Sequence, residues 1–410
     1  MGAPRAIAGR IADTLEPFLR PRYSDGNRIV LLASAQRYFP QLHAAIAGAT
    51  RSIWLETYIL ADDTTGRTMI EALRAAAQRG VAVRVLVDGF GGGPWARQLV
   101  QRFPEFGAQL RIYRPERWWR GERRLFRRLH RKIAVIDERI AFVGGINVDD
   151  SPASDELTGE ALGPRLDFAV ECQGPIVADI ALAVERLWWR TGLTTPLGAK
   201  EPLPRRAPVA VPFADGVRAA IILRDNLRHR RSIEHSYLAA VRAARQQIVI
   251  ASAYFQPGQR FRRALIAAAR RGVRVTLLLQ GRVEYRLQHY AQRALYGQLL
   301  AAGMEIHEYQ RSYLHAKVAV MDREWATVGS SNIDALSLLL AREANVVVRD
   351  GAFCDDLRGH LDAALRDDSR QLQAADYARR SLLTRAVDWI AYGVMRAATV
   401  VLAHKGEWRF

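Results

Sequence analysis

Two histidines and two lysines recur at one spacing in opposite halves of this chain. His130-Arg131-Lys132 followed by Asp137, and His315-Ala316-Lys317 followed by Asp322, both read His-x-Lys-x4-Asp. A glycine stands fourteen residues after each histidine (Gly144, Gly329) and an asparagine seventeen after it (Asn147, Asn332). The strings there are Gly144-Gly145-Ile146-Asn147 and Gly329-Ser330-Ser331-Asn332. Of 60 basic residues only Lys132, Lys200, Lys317 and Lys405 are lysine. A chain so given to arginine places lysine inside both motifs, where a compact ammonium and a flat guanidinium are not interchangeable.

Brought together, two imidazoles, two ammonium groups and two carboxamides make a basic pocket sized for one tetrahedral anion. One imidazole can attack phosphorus while the other protonates the departing oxygen. Lys132, Lys317, Asn147, Asn332 and Ser330 are the candidates to hold phosphoryl oxygens, a task otherwise given to Mg²⁺. No carboxylate cluster and no Cys/His ligand spacing points to a metal or other cofactor. The pattern therefore predicts metal-independent phosphodiester chemistry through a phosphohistidine. A nucleophilic histidine needs its second nitrogen held by a carboxylate. Asp167 and Glu343 are the candidates, each opening an apolar strand expected to return beside its own motif strand. Asp137 and Asp322 complete the catalytic motif set, and are expected to pair with basic groups and shape the strand end rather than transfer protons.

The elements that position these residues repeat as well. Strand-like Ser52–Leu60, a helix over Thr68–Arg79, Gly80 and the β-branched run Val81–Asp88 match Gln247–Phe255, Phe261–Arg271, Gly272 and Val273–Leu279. Ala76-Ala77-Gln78-Arg79-Gly80-Val81 and Ala268-Ala269-Arg270-Arg271-Gly272-Val273 are near copies. Strand-helix-strand units with glycine ending each helix predict right-handed crossovers and an α/β fold. Two similar lobes are expected, each a mixed, mostly parallel sheet flanked by helices, packed face to face about a pseudo-dyad. The expected limits are an N-terminal helix over 1–25, lobes over 26–195 and 216–370, a proline-rich linker over 196–215, and an amphipathic, membrane-associated segment over 371–410.

The net charge of +18 and pI near 10.5 imply an anionic partner, either nucleic acid or a membrane surface. Cys172 and Cys354 read as small buried residues. No long apolar run opens the chain, so neither signal peptide nor N-terminal spanning helix is expected. Arg111–Arg131, with Tyr113, Trp118, Trp119 and Phe126, suits anionic headgroups or a nucleic-acid backbone. In the C-terminal stretch Arg385, Asp388, Tyr392, Arg396 and Thr399 share one helical face and apolar residues fill the rest, the pattern of an interfacial helix or of one docked on the protein core. The glycine loop after Asp88 reads as a flexible connection; Glu56 is a candidate for the pocket floor, and Tyr58 for core packing or the same floor.

The twin motifs with Gly-x-x-Asn downstream resemble the phospholipase D superfamily, and more narrowly its bacterial cardiolipin synthases of the B type. Supporting phrases include Ile53-Trp54-Leu55-Glu56-Thr57-Tyr58, Ala141-Phe142-Val143-Gly144-Gly145 and Glu343-Ala344-Asn345. The chain departs from the pattern at Asp334-Ala335-Leu336-Ser337, where an arginine is often third, and at Ala341. The resemblance implies transfer of a phosphatidyl group from phosphatidylglycerol to a lipid alcohol, with His130 as nucleophile and His315 as general acid and then base. It also implies anionic phospholipid partners (phosphatidylglycerol, cardiolipin), no nucleic acid, and a peripheral place on the cytoplasmic side of the inner membrane. A phospholipase D hydrolase and a metal-independent nuclease share the same pocket and remain open at this point.

Overall fold

The computed structural model describes residues 21–115, 128–150, 152–154, 159, 161–192, 203–225, 229, 231–334 and 341–405. The expected N-terminal helix therefore lies almost wholly outside the described residues, as do Trp118, Trp119 and Phe126.

The first lobe is built from strands β1 (Ser24–Ala33), β2 (Ser52–Thr57), β3 (Ala82–Asp88), β4 (Gln109–Tyr113), β5 (Arg128–Leu129), β6 (Lys132–Ile136), β7 (Ile140–Gly144), the short pair β8 (Pro152–Ser154) and β9 (Ala161–Pro164), and β10 (Phe168–Gln173). The second has β11 (Val217–Arg224), β12 (Gln247–Ser252), β13 (Phe255–Gln256), β14 (Arg274–Gln280), β15 (Glu305–Tyr309), β16 (Lys317–Met321), β17 (Trp325–Gly329), β18 (Ile333–Asp334), β19 (Ala341–Arg349) and β20 (Ser369–Gln371). Across the sheet the first lobe runs β1-β10-β7-β6-β2-β3-β4 and the second β11-β19-β17-β16-β12-β14-β15, with β20 at its edge. The two orders match strand for strand. Expected boundary 26 falls inside β1.

Helices α1 (Ala35–Ala47), α2 (Thr64–Gln78), α3 (Gly93–Arg102) and α4 (Ile176–Gly192) belong to the first lobe. The second carries α5 (Ser232–Ala243), α6 (Gln259–Arg270), α7 (Arg286–Ala301) and α8 (Gly351–Asp367), followed by α9 (Ala374–Ala378) and α10 (Leu382–Lys405). The near-copied phrases do the same work twice. Gly80 and Gly272 take φ of +89° and +88° after their helices, the left-handed turn that ends a helix without a Cβ penalty. Arg79 donates to the carbonyl of Ile46 at the end of α1 (3.0 Å), and Arg271 to that of Val241 in α5 (3.1 Å). Each caps the helix before its own.

The sheets are mixed: β2-β3-β4 and β12-β14-β15, the strands joined by helical crossovers, pair in parallel. The motif strand pairs antiparallel with its hairpin partner across a short turn, and that partner pairs antiparallel with the carboxylate strand. The lobes join edge to edge, β1 antiparallel to β11, which corrects the expected face-to-face packing. Buried Asn27 pins that seam: its amide donates to the carbonyls of Ser24 (2.7 Å) and Val217 (3.1 Å), and its Oδ1 accepts from the Ile176 amide (2.8 Å). One apolar cluster spans both lobes, with Val135, Val143 and Val170 from the first and Val318, Val328 and Val346 from the second, closed by residues of α4 and α8. Cys172 and Cys354 are buried in it and unbonded.

Candidate active site at the seam of the lobes

Each motif histidine is fastened by its backbone to the opposite lobe. β5 pairs in parallel with the start of β19 (Arg128 opposite Ala341, Leu129 opposite Arg342), and the His130 amide donates to the Arg342 carbonyl at 3.0 Å. In mirror fashion Leu166 bridges Leu314, and the His315 amide donates to the Leu166 carbonyl at 2.9 Å. Arg342 and Leu166 immediately precede the two carboxylates, so the side chains meet across the seam. His130 Nδ1 lies 3.1 Å from Glu343 Oε2, and His315 Nδ1 lies 2.6 Å from Asp167 Oδ2. The expectation that each carboxylate returns beside its own motif strand is thus corrected. β7 or β17 intervenes within each lobe, which separates motif and carboxylate strands by roughly 10 Å at two strand spacings.

An ionised carboxylate can only accept, so each Nδ1 carries the proton and each Nε2 keeps its lone pair. Burial depresses the His130 pKa, helped by Lys132 and Lys317 and opposed by Glu343. Burial, Lys317 and Lys132 hold His315 well below the usual histidine value. Both imidazoles are therefore neutral at pH 7. The carboxylates differ. Burial pushes Asp167 up to about 6 against the pull of Lys317. For Glu343 the same burial is outweighed by His130, Lys132 and the Ser330 hydroxyl, which hold it below the usual carboxylate range.

Lys132 and Lys317 begin their strands two residues after the histidines, so alternation returns them to the same face. Each Nζ donates to the carbonyl of its own histidine, at 2.9 Å for Lys132. Burial, then mutual repulsion with Lys317, pushes Lys132 down to about 7, and burial pushes Lys317 down to about 8. An anion bound between them would raise both. Asn147 and Asn332 are buried, and their Oδ1 atoms have no hydrogen-bond partner among the described residues.

Three expectations take a different form. The Ser330 hydroxyl donates to Glu343 Oε2 and accepts from the Ala344 amide, so it supports the carboxylate rather than turning to a phosphate. Asp137 and Asp322 stand outside the pocket, five residues along their strands from the lysines. They pair with backbone amides instead of basic groups: Thr50, Arg51 and Ser52 donate to Asp137 at 2.7–2.8 Å, and Arg245, Gln246 and Gln247 to Asp322 at 2.8–2.9 Å. Both hold the turn that leads into β2 or β12. Glu56 forms a buried pair with Arg131 at 2.7 Å, while the Tyr58 ring packs 5.1 Å from the His130 ring and 5.4 Å from Lys132 Nζ.

Sequence reasoning missed the residues that steady the segments before each histidine. Buried Asp88 accepts from the Leu129 amide at 2.7 Å and from Phe90 at 2.9 Å, so the loop it opens is anchored rather than loose. Gln280 takes the equivalent place, accepting from the Leu314 amide at 2.6 Å. Both end the middle strand of their parallel trio, and the C-terminal ends of parallel strands are where sites form; aligning the repeats on that rule would have found them. Arg165, Glu284 and Tyr254 also escaped notice. Arg165 lies 3.6 Å from Glu284, which accepts the Tyr254 hydroxyl at 2.7 Å, and the Arg165 charge reaches His315. The departures at 335–337 lie outside the described residues.

Comparison with known proteins agrees with the two-lobe plan. The family model described as "Cardiolipin synthase, PLD-like domain" matches residues 42–161 and 237–365, one stretch in each lobe. Cardiolipin synthase B of Escherichia coli K12 is 38% identical over 384 residues, covering 91% of this chain and 89% of that protein. Cardiolipin synthase B of Salmonella typhi is 39% identical over 386 residues with the same coverage. Among solved structures, phosphatidylserine synthase of Haemophilus influenzae Rd KW20 superposes with a TM-score of 0.69 at 12% identity, covering 96% of this chain and 98% of that one. That likeness speaks to the fold. On the family match and these relatives, the chain belongs to the cardiolipin synthase family of the phospholipase D superfamily.

Proposed function

We propose that the protein transfers a phosphatidyl group from phosphatidylglycerol to the hydroxyl of a second lipid alcohol and releases glycerol. The observation that carries this reading is the pair of cross-lobe His–carboxylate contacts beside two buried lysines, which places two Nε2 atoms and a basic cradle at one seam. His130 Nε2 attacks phosphorus, and the P–O bond to glycerol breaks as His315 gives its proton to the leaving oxygen. The proton that His315 needs for this comes from solvent before the attack. In the second half, His315 takes the proton of the acceptor hydroxyl, the new P–O bond forms and the P–N bond to His130 breaks. Lys132, Lys317, Asn147 and Asn332 face the phosphoryl oxygens.

Two environments favour His130 as nucleophile. Its partner Glu343 is the carboxylate kept anionic, by Ser330 among others, and an anion there stabilises the positive charge that the phosphorylated imidazole acquires. Asp167, raised to about 6, suits the histidine that shuttles a proton. Lipid donor and acceptor place the reaction at a membrane surface, for which the proposed site is the cytoplasmic side of the inner membrane, and among the described residues no helix is long and apolar enough to cross a bilayer.

The test is lipid mass spectrometry after incubation with phosphatidylglycerol vesicles in EDTA. Cardiolipin with one glycerol released per molecule is expected. Phosphatidic acid alone would make the enzyme a hydrolase, and no lipid product together with cleavage of single-stranded DNA would make it a nuclease.

A further inference from the structure

Helix α10 docks by its small and polar side and turns its apolar side outward. Ala391 and Met395 are buried against Ala291 of α7. Asp388 is 1% exposed with its carboxylate on Arg380 at 2.6 Å, and the Tyr392 hydroxyl accepts from Arg262 at 3.1 Å. These four positions share one side of a 3.6-residue helix. Round the other side Leu382, Leu383, Val387, Ile390 and Val394 are 80, 76, 42, 66 and 50% exposed, with Trp389 at the edge 54% exposed. Part of the polar face that the sequence suggested would meet water is thus seated on the protein, and the apolar face is bare. Contiguous apolar patches of this kind mark interaction surfaces.

The first turn of α7 continues from this ridge toward the site. Tyr285, Leu287 and Tyr290, at the start of the helix that carries α10, are also exposed. The Tyr285 ring lies 6.0 Å from that of Tyr254, and Tyr254 joins Glu284 and Arg165 beside His315. Exposed Arg286, Arg385 and Arg396 frame the same two helices. Leucine, isoleucine and tryptophan flanked by arginine is the composition of a helix lying in an anionic membrane interface.

We propose that the outer face of α10 and the first turn of α7 form the surface by which this protein docks on an anionic phospholipid bilayer, with the pocket mouth opening along it. The inference deepens the phosphatidyl-transfer reading and rests on it. A donor whose acyl chains remain in the bilayer can offer its phosphodiester only to a pocket held at the interface.

The test uses the full-length protein and its Leu383→Glu/Ile390→Glu variant with vesicles of phosphatidylglycerol and phosphatidylcholine. Both positions are exposed, so the melting temperature should hold. Co-sedimentation of the variant is expected to weaken about tenfold or more, since the buried apolar face sets the affinity of an interfacial helix. Turnover of vesicle phosphatidylglycerol should fall with it, while turnover of detergent-dispersed phosphatidylglycerol stays within about twofold, as for an innocuous surface change. Unchanged vesicle binding would overturn the proposal. So would a wild-type dimer in solution that the variant splits, because the ridge would then belong to a second copy. Vesicle binding is read without turnover: if wild type bound vesicles, the variant did not, and no cardiolipin formed, the surface would stand and the reaction would fall.

Discussion

At the scale of single residues, the two half-sites are built alike but charged differently. In the first lobe Gly145 faces Asp167, and a Cβ there would sit 2.3 Å from Asp167 Oδ1. In the second the equivalent Ser330 fits, and gives its hydroxyl to the longer glutamate. Ser330→Gly should therefore leave Glu343 in place but less acidic. The expected result is a fall in kcat of about tenfold, the worth of one hydrogen bond to a charged group, measured at pH 7, and an unchanged kcat would separate Ser330 from Glu343 chemistry. The wild-type profile of kcat/KM should be a bell. Asp167 must be ionised, so activity is lost as pH falls through about 6. Lys132 and Lys317 must be protonated, so it is lost again as pH rises through about 7 to 8. Stopped assays between pH 5 and 9 check both limbs. The paired motifs were legible because histidine and lysine at i and i+2 have one chemical purpose on a strand. The swapped pairing was not, because nothing in Asp167 or Glu343 marks which histidine it serves.

Elements follow the same division. The crossovers, their terminating glycines and the matched strand orders could be read from near-copied phrases, since helix and strand periodicities are strong over ten or more residues. The devices that assemble the site are shorter than any period: the two-residue β5, the Leu166–Leu314 bridge, and the side chains of Asp88 and Gln280. The motif aspartates belong to this scale too. Asp322 gathers three backbone amides at the mouth of β12, and Asp322→Ala strands those donors at a cost of about 1–3 kcal/mol. Thermal unfolding should register the loss, while kcat of the folded variant stays within about threefold of wild type, because the residue touches no reacting atom. A collapse of kcat at unchanged stability would return Asp322 to the chemistry.

Taken whole, the molecule is one chain folded into two copies of a lobe, with a site that neither lobe could complete alone. Each histidine needs the other lobe's carboxylate, and the pinned seam at Asn27 and the shared apolar cluster keep the two in register. Both half-sites come from a single protomer, so the chemistry needs no partner subunit. This arrangement makes a sharp claim about where the phosphatidyl group rests between donor and acceptor. The direct measurement is rapid mixing with phosphatidylglycerol, denaturation at neutral pH within the steady state, and peptide mass spectrometry. A phosphatidyl adduct on His130, absent in Glu343→Gln, is the predicted result. An adduct on His315 instead, or steady cardiolipin formation by the His130→Ala protein, would contradict the account.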